Sequence, residues 1–127
     1  MKKPKKFRSK LEAYCFDELV KAGLKFKYEP YRITLIPGFR YEGFAIERKG
    51  KTLKKAWVKQ QSITYMPDFV ADDWIIETKG YERPASRMKW KLFKRYLKLN
   101  KKNVDLYKPH TKKEVRECIK TILERQK

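Results

Sequence analysis

The segment Met66 to Gly80 holds the residues best suited to chemistry: Pro67-Asp68, then Glu77-Thr78-Lys79. Two runs rich in β-branched and aromatic residues, Ile63 to Val70 and Trp74 to Lys79, flank Ala71-Asp72-Asp73, which predicts two strands joined at a tight turn. With Asp72 and Asp73 as a two-residue turn, Ala71 faces Trp74 and, pair by pair, Asp68 faces Glu77. Directly opposed residues share a face with Cβ atoms ~5 Å apart, where two carboxylates repel. A divalent cation between them reverses that sign. Lys79 stands two residues past Glu77, so the pleat brings its amine to the same face and sends Ile76 and Thr78 to the other.

Two carboxylates and one ammonium suit phosphodiester hydrolysis. Carboxylate oxygens hold Mg²⁺ or Mn²⁺, which polarises the phosphate and acidifies a water, while Lys79 orients or deprotonates that water and stabilises developing charge. The backbone carbonyl of Thr78 is expected to be a further metal ligand. The bland alternative is an exposed hairpin on which Glu77 and Lys79 are merely solvated.

A further acid comes from the N-terminal part. Ser9 to Ala22 predicts a helix, with Ser9 as N-cap, Glu12 completing S-x-x-E and Gly23 as terminator. On a helical wheel Leu11, Cys15, Phe16, Leu19, Val20 and Ala22 form an apolar arc, and Glu12 falls in its middle. A carboxylate aimed at a core is costly unless it caps the helix or meets a cation. Both roles stay open for Glu12 at this point.

Taken in order, Phe7-Arg8-Ser9-Lys10-Leu11-Glu12, Phe26-Lys27-Tyr28-Glu29, Tyr65-Met66-Pro67-Asp68-Phe69 and Ile76-Glu77-Thr78-Lys79-Gly80 resemble the bacteriophage endonuclease I family of Holliday-junction resolvases, within the PD-(D/E)xK nuclease superfamily. The resemblance spans roughly residues 7 to 80. It implies that Glu12, Asp68 and Glu77 bind metal, that Lys79 is the catalytic lysine, and that the protein is a homodimer acting on branched DNA. Residues 37 to 62 are longer than the corresponding region of the family, and no motif matches after Gly80.

The remaining elements must position these groups. Lys25 to Tyr28, Tyr31 to Ile36 and Phe44 to Glu47 are predicted strands with weak boundaries, and Lys49 to Gln61 is basic without a clear period. Ala85 to Asn100 is a predicted helix, Val104 to Tyr107 a strand and Lys112 to Arg125 a terminal helix. The expected architecture is one α/β domain over 1–127 with a restriction-endonuclease-like core, a mixed β-sheet flanked by helices in the order α-β-β-β-β-α-β-α.

Composition sets the partner class. The formal charge is +19 on 127 residues, which calls for a polyanion, and nucleic acid is the obvious one. Two cysteines with no CxxC pair exclude a zinc site or a disulfide framework and predict a cytoplasmic setting. No apolar run approaches a membrane span, and the basic start Met1 to Lys6 leads into an amphipathic segment instead of a signal-peptide core. The expectation is a soluble, unprocessed protein.

From Arg83 to Lys102 there are nine Lys and Arg and no acid. Arg87, Lys91, Lys94, Lys98 and Lys101 are expected on one helix face, opposite Ala85, Met88, Leu92, Tyr96 and Leu99. Arg83 and this stripe are candidate DNA contacts, as are Arg8 and Lys10 beside Glu12. Lys49, Lys51, Lys54, Lys55 and Lys59 extend the cationic surface, with Trp57 stacking on a base or packing on the sheet. His110 is expected to have no catalytic part. Rival readings are a nicking, repair or transposon-end nuclease on the same core, or a catalytically silent nucleic-acid-binding module.

Overall fold

The computed structural model describes residues 3–55 and 59–126. The expectation for Trp57 lies outside the described residues, as do those for the side chains of Lys49, Lys54 and Lys55.

In chain order the elements are α1 (Lys10–Lys21), β1 (Lys27–Tyr28), β2 (Ile33–Ile36), β3 (Phe39–Arg40), β4 (Ile46–Lys49), β5 (Thr52–Lys55), β6 (Lys59–Gln60), β7 (Ile63–Tyr65), β8 (Phe69–Val70), β9 (Trp74–Ile76), α2 (Pro84–Leu99), β10 (Asp105–Tyr107) and α3 (Lys112–Arg125). The fold is mixed α/β. Three helices accompany a four-stranded mixed sheet of order β1-β8-β9-β10, in which β9 and β10 run parallel and the other neighbours antiparallel. Among the described residues no helix is long and apolar enough to cross a membrane.

Local chemistry explains the helix ends. The Glu12 amide donates to the Ser9 hydroxyl at 3.1 Å, and the Glu114 amide to that of Thr111 at the same distance, so α1 and α3 each have a side-chain N-cap. α1 stops at Gly23, whose φ of +71° lets the Gly23 and Leu24 amides return to the carbonyls of Val20 and Leu19. Pro84 opens α2, where its missing N–H costs nothing.

β9 is buried on both faces, as a central strand between two helical layers must be. Phe69, Trp74 and Ile76 face one core with Cys15, Phe16 and Leu19 of α1 and Val115, Ile119 and Ile122 of α3. Ile75 faces the other, with Ile33, Tyr65 and the α2 residues Trp90, Phe93 and Leu97. Two expected faces need correction. Val20 is exposed, because it stands at the edge of the α1 arc. Met88 and Leu99, expected on the apolar side of α2, are also exposed, and Leu92 and Tyr96 are half-buried. α2 is apolar over too wide an arc to bury all of it, and Trp90 and Phe93 gain more area on burial.

The expected order allowed four strands before α2, although five runs read as strands, and the described residues hold nine. β3, β5 and β6 lie outside those runs, and Pro67 divides the run Ile63 to Val70 into β7 and β8. β2 pairs with β7, β3 with β6 and β4 with β5, all antiparallel, as three nested steps of one two-stranded ribbon closing at Gly50, where φ is +63°. Such a ribbon buries neither face along most of its length, so its sequence lacks the alternation that reveals a half-buried strand.

Phe69 is fully buried, with ring centroids 5.7 Å from Phe26 and 5.4 Å from Tyr28. Phe69→Ala is expected to cost about 3–5 kcal/mol in urea unfolding, against less than about 1 kcal/mol for Val20→Ala. Equal costs would misplace the core.

Candidate active site

The β8–β9 hairpin has the register required to oppose its two acids. Phe69 pairs with Ile76 and Val70 with Ile75, and the Ala71 amide donates to the Trp74 carbonyl at 2.9 Å, leaving Asp72-Asp73 as the turn. One step beyond the ladder stand Asp68 and Glu77, 6 % and 5 % exposed. Pro67 separates β7 from β8 just before this point, since proline cannot donate to a ladder.

After Ile76 the chain continues beside the end of β10 and the residues that follow it: the Glu77 amide donates to Tyr107 O and the Lys79 amide to Pro109 O. Alternate amides along an extended chain point to opposite sides, so that of Thr78 faces Asp68. Both the Thr78 amide (3.0 Å) and its hydroxyl (2.9 Å) donate to Asp68 Oδ2. This corrects the expectation that the Thr78 side chain turns away. The pleat stops governing direction once the ladder with β8 ends. Thr78 thus meets Asp68 through its N–H and hydroxyl.

Glu77 is held from two sides: the Tyr65 hydroxyl donates to Oε1 at 2.7 Å, and Lys79 Nζ lies 3.2 Å from Oε2. Glu12, 4 % exposed on the inner side of α1, accepts from the Tyr28 hydroxyl. Its carboxylate therefore serves the site, while its amide serves the cap. Glu29 completes the group. Its backbone is left-handed (φ +43°), its amide donates to Asp68 O at 2.7 Å, and its carboxylate accepts from Arg8 at 3.3 Å.

One carboxylate oxygen from each of Glu12, Glu29 and Asp68 can be chosen so that all lie within 4.8 Å of one another. Glu77 stands outside that tight group, drawn toward Lys79 and Tyr65. Asp68 belongs to both arrangements. Burial, then Glu77 and Glu12, push the Asp68 carboxyl up to about 8, despite the two donors from Thr78. Burial also raises Glu12 and Glu77; for Glu77 the Tyr65 hydroxyl and Lys79 oppose the rise. Behind the acids, burial and then Asp68 push the Cys15 thiol far up, leaving it protonated and inert.

The donors are all oxygen and mostly carboxylate, and they are charged groups with too little compensating cation. That is the donor set of a hard divalent ion such as Mg²⁺ or Mn²⁺.

Glu12, Asp68 and Glu77, with Tyr65 and Thr78, line a cleft of about 420 Å³ whose other walls carry Arg8, Arg32, Lys79, Lys89, Trp90 and Lys108. Of the cationic residues expected to meet DNA, Arg8 reaches the cleft. Lys10, Arg83, Arg87, Lys91, Lys94 and Lys98 are exposed but do not line it. Sequence reasoning missed Arg32, Lys89 and Lys108, and the roles of Tyr28, Glu29 and Tyr65. Tyr28-Glu29 sat inside a motif already noted, which was the available signal. The others converge through tertiary contacts alone. Comparison of the chain with protein-family models, curated proteins and solved structures found no match.

A raised carboxyl pKa means that the folded state binds the Asp68 proton more tightly than the unfolded chain does. Metal-free stability should therefore fall as pH rises from about 4 to about 8. Asp68→Asn, which cannot ionise, should match the parent near pH 4 and exceed it at pH 8 by more than about 1 kcal/mol. Urea unfolding in EDTA at both pH values measures this; a parent as stable as the variant at pH 8 would refute it.

Proposed function

We propose that this chain is a divalent-metal-dependent DNA endonuclease of the PD-(D/E)xK type, with Asp68, Glu77 and Glu12 as metal-binding carboxylates and Lys79 as catalytic lysine. The observation that carries the reading is the convergence of buried Asp68, Glu77 and Thr78 with half-buried Lys79 in one cleft with a cationic rim. A chance ExK would leave these side chains scattered in solvent.

A bound Mg²⁺ or Mn²⁺ would supply Lewis acidity to the phosphate and lower the pKa of a water. The chain's own groups do the rest. Asp68 is aimed by the Thr78 amide and hydroxyl, and Glu77 by Tyr65. Lys79 keeps part of its side chain in the cleft and offers an ammonium beside Glu77, where it can orient a water and stabilise charge developing on phosphate oxygens. Arg8, Arg32, Lys89 and Lys108 would receive the flanking phosphates. Glu29 competes with Glu77 for a place in the ligand set, because one of its carboxylate oxygens lies within 4.8 Å of one from each of Glu12 and Asp68.

The restriction-endonuclease-like core belongs to the same proposal. A helix, an antiparallel hairpin carrying the acids, a helix and a parallel strand are its parts, and α1, β8, β9, α2 and β10 supply them. The likeness to bacteriophage endonuclease I resolvases adds branched DNA as substrate and a homodimer that brings two sites to one junction.

Lys79→Ala is expected to lower single-turnover cleavage of a four-way junction by about 10²- to 10⁴-fold with affinity nearly unchanged. One ammonium among 34 cationic residues adds at most about one unit of salt slope. Lys94→Ala, from the exposed face of α2, should lose affinity more than chemistry. A Lys79→Ala protein cutting within about threefold of the parent would remove this residue from the mechanism. Equal cutting of linear duplex by the parent would defeat the resolvase reading.

Calorimetric titration with Mn²⁺ tests the ligand set separately from cleavage. Heat of binding near neutral pH should vanish in Asp68→Ala, the residue common to both carboxylate groupings. Unaltered binding in that variant would place the metal elsewhere.

A further inference from the structure

The cleft uses the base of the ribbon that runs from β2 to β7, through Thr64 and Tyr65, and leaves the part beyond Gly38 without a task. Its base is anchored: Ile33 and Tyr65 are buried with Trp90 and Phe93, and the Tyr65 and Phe93 rings are 4.7 Å apart. At Gly38 the two strands come so close that an added Cβ would stand 2.9 Å from the Gln60 carbonyl oxygen. Beyond it no described side chain of the ribbon is buried. Phe39, Tyr41, Phe44, Ile46 and Leu53 are all exposed, Phe44 at 66 % and Leu53 at 67 %.

Large apolar side chains held in water on one projecting element mark a surface that meets something. The charge beside them says what. Residues 38–62 carry seven Lys and Arg against two Glu, a net +5. A second copy would bring the same +5 to an arm-to-arm contact and be repelled, whereas a polyphosphate gains from every contact. Among the described side chains Arg40, Arg48, Lys51 and Lys59 are exposed, with Lys51 at the tip.

Shape narrows the polyanion to a duplex. Paired strands lie ~4.8 Å apart, and a two-stranded ribbon fits a major groove ~12 Å wide. From Phe39 to the turn at Gly50 the chain spans at most roughly 35 Å, about one helical turn of DNA. The register slips by one residue between Thr34 and Ile36, and such slips increase the twist that lets a ribbon follow a groove. Near the tip Arg48 pairs across the ladder with Leu53, and Ile46 lies two residues from Arg48, so all three share one face. The two aliphatic side chains on that face suit thymine methyls, and the long Arg48 side chain beside them can reach past them to a phosphate at the groove edge.

We propose that the ribbon beyond Gly38, described over residues 38–55 and 59–62, forms an arm that lies in the groove of duplex DNA flanking the phosphodiester held in the cleft. Ile46 and Leu53 face the bases, and Arg40, Arg48, Lys51 and Lys59 contact phosphates. The proposal rests on the nuclease reading for its choice of DNA as partner. Its test uses binding alone.

Fluorescence anisotropy in Ca²⁺ buffer, titrated with a linear duplex of about three helical turns, compares four proteins. These are the parent, Ile46→Ser with Leu53→Ser, Arg48→Ala with Lys51→Ala, and a chain whose residues 39–60 are replaced by Asn-Gly. Circular dichroism and Mn²⁺ titration verify that each variant keeps its core and its carboxylates. The trimmed chain should lose at least about tenfold in affinity, and its slope of log K against log salt should fall by roughly 3 to 6. The Arg48/Lys51 pair should lower that slope by about 2, and the Ile46/Leu53 pair should weaken binding with little change of slope. Unchanged affinity and slope in a folded trimmed chain would overturn the arm. So would a dimer that becomes monomeric on trimming while each protomer binds DNA as before, since the ribbon would then be an interchain contact. A parent that binds through the arm yet never cuts would sink the nuclease reading and leave the arm standing; cutting without arm-dependent binding would do the reverse.

Discussion

Acidic side chains crowded away from water, with too few cations of the protein's own, set the terms for the rest of this molecule. Glu12, Asp68 and Glu77 are each nearly buried, and each raises the pKa of a neighbour. Lys79 answers Glu77, and Arg8 answers Glu29. Asp68, at the centre, receives dipoles from Thr78 and no ammonium or guanidinium at ion-pair distance among the described residues. Such an arrangement costs folding free energy in the metal-free chain. The surrounding structure has to hold it in place.

It does so by attaching every acid to a rigid support. Asp68 and Glu77 extend a hairpin whose central strand is packed on both faces, and the chain after β9 is tied to the end of β10 and to Pro109 by two backbone hydrogen bonds. Glu12 stands one turn into a capped helix. Glu29 is held in a left-handed conformation that costs roughly 1–2 kcal/mol for a residue with a Cβ, and the hydrogen bond from its amide to the Asp68 carbonyl helps keep it there. Strain and electrostatic cost fall on the same few residues, where function tends to place them.

The layout of charge is the inverse at the surface. Acids occupy the floor of the cleft, while cations line its rim, the exposed side of α2 and the ribbon. A polyanion is drawn toward the molecule from several sides, and the buried carboxylates repel its phosphates until a divalent ion intervenes. Tyr81, exposed at the mouth, and Trp90, packed in the wall, add aromatic surface to the same cleft.

Much of this was legible in the residues themselves. The Asp72-Asp73 turn determines its hairpin register, because a two-residue loop leaves one pairing, and that pairing sets Asp68 opposite Glu77 whatever else the chain does. Ser9 and Gly23 bound α1 and Thr111 opens α3 through local hydrogen bonds, so both helices and the inward aim of Glu12 follow from short-range chemistry. The tertiary structure decided what depends on contact between distant segments. It chose which part of the wide apolar arc of α2 to bury, and it sent the Thr78 hydroxyl to Asp68 where the ladder ends. It also brought Tyr28 and Glu29 beside Glu12 and Asp68, and Arg32 and Lys108 to the wall of the cleft. The ribbon was illegible for a related reason: apolar alternation is written into a sequence only where one face is buried, and most of residues 38–62 bury neither.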